Sequence, residues 1–433
     1  MANHNNQGTL NKALIISVGI GPGIEHSIDI SIKQHNPELI IFICSERSTK
    51  TLEREVQGIK IKKFPNSQIV LVDEEDFEKA FDQIKDTVEA LMRSGYSSKE
   101  IFVDFTAGTK VMSAALVVAA VIYHLEGITY VTGKRDRDGR VLSGSEKVVT
   151  INLERVIRLT SFKKDIPAYF NAYQYKASLD IIEGCKNLGE LLSKEERKQV
   201  EETESLVKGY QQWDRFNHDE ALIELNKINQ ENLKMNIEFL SELIEERKRL
   251  SKRVYHLQLK DNLPTPSLLV DLLENARRRV EEGNYDEAVA RLYRAIEAAA
   301  QLHLVETYHQ NPSDFQPQLL KDKLPPDMLK KYEMLKKDKS KVQLGLMDLY
   351  KLIHTLEPSN PLASEQILEE LKTCLQSRND SILAHGFKPV KEDAYKKMME
   401  LAVKIVKEKV PDLEERMLKC RFLKMQPFIV NSF

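Results

Sequence analysis

Cysteine is scarce in this chain. Its four copies in 433 residues (Cys44, Cys185, Cys374 and Cys420) are scattered and form no CxxC spacing. That argues against a disulfide framework or a thiolate zinc site, and makes a reducing cytoplasm the expected compartment. Long apolar runs are missing too. The longest, Ala114–Ile122, falls well short of the roughly 18 residues of a membrane span and suits a buried helix. The start, Met1–Asn11, is polar without the apolar centre of a signal peptide and reads as a short disordered tail. Charge of one sign is also lacking: 64 Lys and Arg face 66 Asp and Glu, for a net charge of −2. A polyanionic partner would therefore have to be drawn by a local site. What the chain does have is charge of both signs, 30% in all, with a mean hydropathy of −0.40. It is expected to be soluble, with length for two or three domains.

Residues 12–160 read as α/β. Apolar runs at Ala13–Val18, Glu38–Cys44, Gln68–Val72 and Ile101–Phe105 alternate with helical stretches at about 24–34, 76–94 and 111–125. Short apolar runs of this kind predict a parallel-rich sheet covered on both faces. Gly127–Thr132 and Lys147–Leu153 complete it, with Asp136-Arg137-Asp138-Gly139-Arg140 as the polar tip of a β-hairpin. From about residue 165 the pattern is helical almost to the end. Tyr175–Ile182, Phe216–Leu225 and Tyr285–Ile296 look alike: an aromatic residue, a short polar stretch or turn, then Ala at the start of an apolar-periodic helix. Their spacing is irregular, so ordinary helix pairs and a degenerate array of helical hairpins both remain open. Asp261–Pro266 is the clearest break in this half, and Pro312–Pro326 and Glu357–Pro361 are further loops.

Two constellations carry chemistry. The first is Asp104-Phe105-Thr106-Ala107-Gly108-Thr109-Lys110-Val111-Met112, at the end of a predicted strand and the start of a helix. Ligands bind there in open α/β sheets. Gly108 lets a backbone approach closely, helix N–H groups face an anion, and Thr106, Thr109 and Lys110 add donors. A lysine at a helix start is unfavourable without an anion nearby. Gly19, Gly21 and Gly23 follow the first strand, and Ser45, Glu46 and Arg47 follow the second. With Ser17 and Ala107, these loops should converge on one sheet edge. No Walker A loop is present. Gly19, Gly21 and Gly23 with Glu46 form an imperfect dinucleotide fingerprint, because Ile24 stands where the third glycine belongs.

The second is Arg378-Asn379-Asp380-Ser381-Ile382-Leu383-Ala384-His385-Gly386. On one predicted helix Arg378 and His385 fall within roughly 20° of the same face but about 10 Å apart along the axis. A guanidinium to hold a phosphate and an imidazole to move protons are a minimum kit for cutting RNA, whose 2′-hydroxyl is its own nucleophile. A polar helix end with His near the C-terminus is the alternative.

Arg378-Asn379 followed by His385 resembles the R-x(4–6)-H signature of HEPN ribonucleases. The stretch Asn284–Glu297 resembles the long first helix of HEPN domains, with Arg291, Arg294 and Glu297 as candidates to line the same cleft. The Asp-x-Thr-x-Gly-Thr-Lys-x-Met string resembles the signature of CARF domains, the CRISPR-associated Rossmann-like sensors of cyclic oligoadenylates, with Ala107 in place of the usual first glycine. In this order the two resemble the accessory CARF–HEPN ribonucleases of type III CRISPR systems, of the Csm/Csx kind. The resemblance implies a Rossmann-like α/β domain at 1–160, an all-α helical linker at 161–263 and an all-α HEPN domain at 264–433. It implies a homodimer with two composite sites: a sensor pocket for cyclic tetra-adenylate, or alternatively cyclic hexa-adenylate, and a metal-independent site for single-stranded RNA. Products would carry 2′,3′-cyclic phosphate and 5′-hydroxyl ends, in antiviral defence. The sensor could also cleave its own activator. Two other readings stand beside this one: a sensor or adaptor with a catalytically silent helical domain, and an NAD-dependent enzyme.

Overall fold

The computed structural model describes residues 12–56, 59–134, 137, 144–254, 264–338, 341–379 and 386–426, without the side chains of residues 56, 59, 337, 338 and 377–379. The chain divides into two compact units, Met1–Thr160 and Ser161–Phe433.

The first unit is built on β1 (Ala13–Val18), β2 (Leu39–Cys44), β5 (Ser67–Leu71), β6 (Ile101–Asp104), β7 (Gly127–Thr132) and β8 (Lys147–Ile151). They lie in the order β5-β2-β1-β6-β7-β8, with every neighbouring pair parallel except β7 and β8. Side chains alternate across a strand, and β1 divides accordingly. Ala13 and Ile15 join one core with Ile41, Ile84, Val103 and Leu116, while Leu14, Ile16 and Val18 join the other with Phe42, Leu52 and Ile61. Every residue of β1 is buried, which explains its unbroken apolar run. The crossover helices are α1 (Ile24–His35), α2 (Phe77–Arg93) and α3 (Lys110–Ile122).

Two expectations shift, and a third cannot be placed. The third strand is an edge rather than a buried element, with Ile69 and Leu71 about half exposed. A two-stranded ribbon, β3 (Glu55–Val56) with β4 (Ile59–Lys60), falls where no strand was expected because each member is only two residues long. Apart from Arg137, the tip Asp136–Arg140 lies outside the described residues.

The second unit is helical. Helix α4 (Leu153–Asn171) contains the division between the units. Then come α5 (Tyr175–Lys186), α6 (Lys194–Asp214), α7 (His218–Leu225), α8 (Lys234–Arg253), α9 (Pro266–Glu281), α10 (Tyr285–Tyr308), α11 (Pro326–Asp338), α12 (Leu346–Leu356), α13 (Glu365–Asn379), α14 (Glu392–Lys407) and α15 (Leu413–Cys420).

The three look-alike segments enter their helices through one shared turn. Tyr173, Phe216 and Gly283 adopt φ of 61°, 63° and 79°. Each donates its N–H to the carbonyl three residues back, at 3.0, 2.8 and 2.8 Å. The next residues, Gln174, Asn217 and Asn284, each donate five residues back, at 2.8, 2.9 and 2.8 Å. Those long bonds satisfy carbonyls that a helix end leaves without partners. On the new helix Ser178, Ala221 and Ala288 are fully buried at matching positions, and Ile182, Leu225 and Leu292 follow one turn later. In the α6–α7 and α9–α10 hairpins, whose arms pack closely, the small residue allows that approach. Irregular spacing thus conceals one repeated hairpin. No helix among the described residues is long and apolar enough to cross a membrane.

Candidate functional site

The sheet reverses its winding between β1 and β6: the chain moves outward from β1 through β2 and β5, then returns to β6 on β1's other side. A crevice opens at such a switch point beyond the carboxyl ends of the strands. The loops after β1 and β6 meet there. A Cβ on Gly19 would stand 2.8 Å from the Gly108 amide nitrogen, and one on Gly108 would stand 3.2 Å from the Ser17 Cβ. Gly108 has φ +94°, a region that suits glycine. Ser17 is fully buried below them, and its hydroxyl donates to the Ala107 carbonyl.

The hydroxyls expected to face a ligand are largely spent on the loops themselves. The Thr106 hydroxyl donates to Asp104 and accepts from the Val131 N–H at 2.7 Å. Thr109 caps α3 by accepting from Met112 at 3.2 Å and donates to the Glu74 carbonyl at 3.1 Å. Ser45 is buried, its hydroxyl accepting the Ser48 N–H at 3.3 Å. Thr106 and Thr109, expected to add donors, thus already donate to Asp104 and to the Glu74 carbonyl. A loop squeezed between two strand ends must satisfy its own polar groups first. What remains for a ligand is backbone and charge. Lys110 is exposed at the first position of α3, which has no acid in its first turn. Glu46 is exposed, and Arg47 pairs with Glu74 at 2.6 Å. Ser45 and Arg47 together hold the Glu74 carboxyl below its ordinary range.

Several residues here escaped the sequence reading. Arg54 donates to the Gly21 and Ile20 carbonyls at 2.7 and 3.0 Å and pairs with Glu25, while the Thr51 hydroxyl donates to the Gly19 carbonyl at 2.7 Å. They hold the Gly19–Gly23 loop from a segment some thirty residues away, a distance no local pattern reports. Asp104, which opens the motif read from the sequence, is buried and accepts the Thr106 N–H at 2.8 Å; burial pushes its carboxyl up, against the Thr106 hydrogen bonds.

In the helical unit, Arg378 and Asn379 end α13, and their side chains, like the whole of His385, lie outside the described residues. The segment after them is anchored to α10: the Val390 N–H donates to the Asp286 carboxylate at 3.2 and 3.3 Å. Phe387 is 92% exposed. Along α10, Arg294 binds Glu297 at 2.8 Å and Gln301 at 2.9 Å. Arg291 instead turns to α9, donating from Nε to the Asn275 Oδ1 at 3.2 Å. The three cleft candidates therefore split into an Arg294–Glu297 pair and a separately held Arg291.

Two family models match the chain: Csm6 6H domain over residues 163–253 and Csm6 HEPN domain over residues 258–409. Among solved structures, Enterococcus italicus Csm6 bound to cyclic hexa-2′-fluoro-hexa-dAMP aligns with a TM-score of 0.56 at 14% identity, over 94% of this chain and 98% of that one. At that identity the likeness establishes fold. No protein of curated function matches the sequence. The two domain models cover over half of the residues, and the sheet-then-helices fold follows the solved structure along nearly its whole length: the chain belongs to the Csm6 family of CRISPR-associated CARF–HEPN proteins.

Proposed function

We propose that this protein is a single-strand-specific endoribonuclease switched on by a cyclic oligoadenylate in type III CRISPR defence. The reading rests above all on one observation: a HEPN-family helical domain containing Arg378, Asn379 and His385 follows a Rossmann-like domain whose switch-point loops meet at Gly19 and Gly108. Domain boundaries at 160 and 263 are part of the proposal, with the helical middle between sensor and nuclease.

In the sensor, backbone N–H groups of the loop after β6, the α3 terminus and Lys110 would take an activator phosphate. Ser17, Ala107 and the glycines allow the close approach, and Ser45, Glu46, Arg47, Thr106 and Thr109 wall the crevice. The solved relative holds a six-nucleotide ring, so cyclic hexa-adenylate is a candidate alongside cyclic tetra-adenylate. A two-fold dimer would match either ring's symmetry.

At the nuclease site the RNA 2′-hydroxyl would attack the adjacent phosphorus. His385 would take its proton or supply one to the leaving 5′-oxygen, and Arg378 would stabilise the pentavalent charge. The ends are then a 2′,3′-cyclic phosphate and a 5′-hydroxyl, with no metal in the step. A dimer contributes a second histidine, which would relieve the axial separation expected of Arg378 and His385 on one helix. The compartment is cytoplasmic.

The test is cleavage of a fluorescent single-stranded RNA, titrated separately with the two rings, with and without chelator. Ring-dependent, chelator-resistant cleavage supports the proposal. No cleavage with either ring would leave a silent sensor.

A further inference from the structure

A chain of buried charged and polar groups joins the helical middle to α9 and α10. Asp271 on α9 is fully buried and accepts from the Trp213 Nε1 at 3.1 Å and the His218 Nε2 at 2.8 Å. Arg247 on α8 donates to the His218 Nδ1 at 2.9 Å. Arginine has no acceptor, so His218 accepts at Nδ1 and donates at Nε2. Arg278, 3% exposed, lies 3.5 Å from Asp271, donates to Asp214 on α6 at 2.8 Å, and covers the Phe422 ring at 3.7 Å. Asp214 also accepts from Arg279 at 2.6 Å.

The chain does not stop in the core. The Asn275 Nδ2 donates to both the carbonyl and the carboxylate of Asp214, each at 3.1 Å. Those bonds fix which end of the Asn275 amide points away from Asp214. The Oδ1 that remains, on a side chain only 1% exposed, receives the Arg291 Nε at 3.2 Å. Arg291 itself is 35% exposed at its side chain. A guanidinium bound through Nε still presents its two terminal nitrogens, in a fixed plane. On its own helix it pairs with Glu287 at 3.7 Å. The same helix, five residues earlier, carries the Asp286 that anchors Val390, five residues after His385 in the sequence.

We propose that Asn275, oriented by Asp214, is a positioning residue that aims Arg291 at the RNA phosphate backbone. The helical middle thereby enters the geometry of the nuclease cleft. A buried ionic chain costs desolvation and is replaceable by apolar packing in stability terms, so orientation rather than stability is the natural reason to keep it. This inference rests on the ribonuclease reading above.

The experiment measures activator-saturated cleavage of a fluorescent single-stranded RNA by full-length wild type, Asn275→Ala, Arg291→Ala and the double variant, with thermal melts as a folding check. Asn275→Ala should raise KM about tenfold with little change in kcat, and should add nothing in the Arg291→Ala background. Its KM should also depend less steeply on salt, as the loss of one phosphate contact requires. If Asn275→Ala does not fold, Arg291→Lys, which keeps the charge but not the planar fork, should show the same rise. A wild-type KM in the folded variant tested, or independent multiplying effects of Asn275→Ala and Arg291→Ala, would overturn the inference while the ribonuclease reading stands. A wild-type protein that leaves RNA intact overturns both.

Discussion

Gly19 and Gly108 touch across the switch point of the sheet: a Cβ on the first would stand 2.8 Å from the backbone nitrogen of the second. Backbone cannot move aside as a flexible side chain can. Gly19→Ala must separate the loops after β1 and β6, at a cost of about 1–3 kcal/mol. Urea denaturation should show that loss, and activator titration should show a weakened response. Gly23→Ala meets nothing within 4 Å but sits at φ +83°, so its effect is confined to local strain.

Lys110→Ala should leave the fold intact, because the side chain is exposed at a helix start. Removing its charge-assisted contact should raise the activator concentration for half-maximal cleavage about tenfold. The rate at saturating activator should not change. An unaltered activation curve removes Lys110 from the pocket.

His385→Ala and Arg378→Ala should each reduce RNA cleavage by at least about a hundredfold at saturating activator, with activator binding retained. Calorimetry with the cyclic ring separates the two properties. Full cleavage by either variant would move the active site elsewhere.

Asp271 ties acid sensitivity to the helical core. Burial would raise its carboxyl, but His218 and Arg278 more than offset that and hold it below the ordinary aspartate value. The folded state therefore binds this proton less readily than the unfolded chain. Its stabilisation is present above about pH 4 and lost as pH falls below that toward the folded-state value. Asp271→Asn should be clearly less stable than wild type at pH 7, and the gap should shrink at pH 3. Asp271→Ala, which strands Arg278 and His218, should cost about 3–5 kcal/mol. A gap independent of pH would show that the carboxylate's charge plays no part.

The parallel sheet was legible because burial on both faces leaves unbroken runs such as Ala13–Val18, and the β6–α3 turn because glycine, threonine and lysine at a strand end are unusual together. The hairpin repeat was visible only as a likeness. Tyr173, Phe216 and Gly283 share a positive φ but not a residue type, so their turns look different in letters and alike in hydrogen bonds. The acceptors taken by the Thr106 and Thr109 hydroxyls were not legible, because residue types say what can donate, not what already accepts the bond.

Sequence alone determined the order of the parts, a sheet followed by helices, and the residue types that can hold phosphate and move protons. Those follow from local periodicity and side-chain chemistry. Tertiary structure decided which polar groups remain available. Arg54 reaches back to the Gly21 carbonyl, and Asp214 orients Asn275, which holds Arg291. Such bonds join residues distant in the chain, and their partners are chosen by packing rather than by spacing.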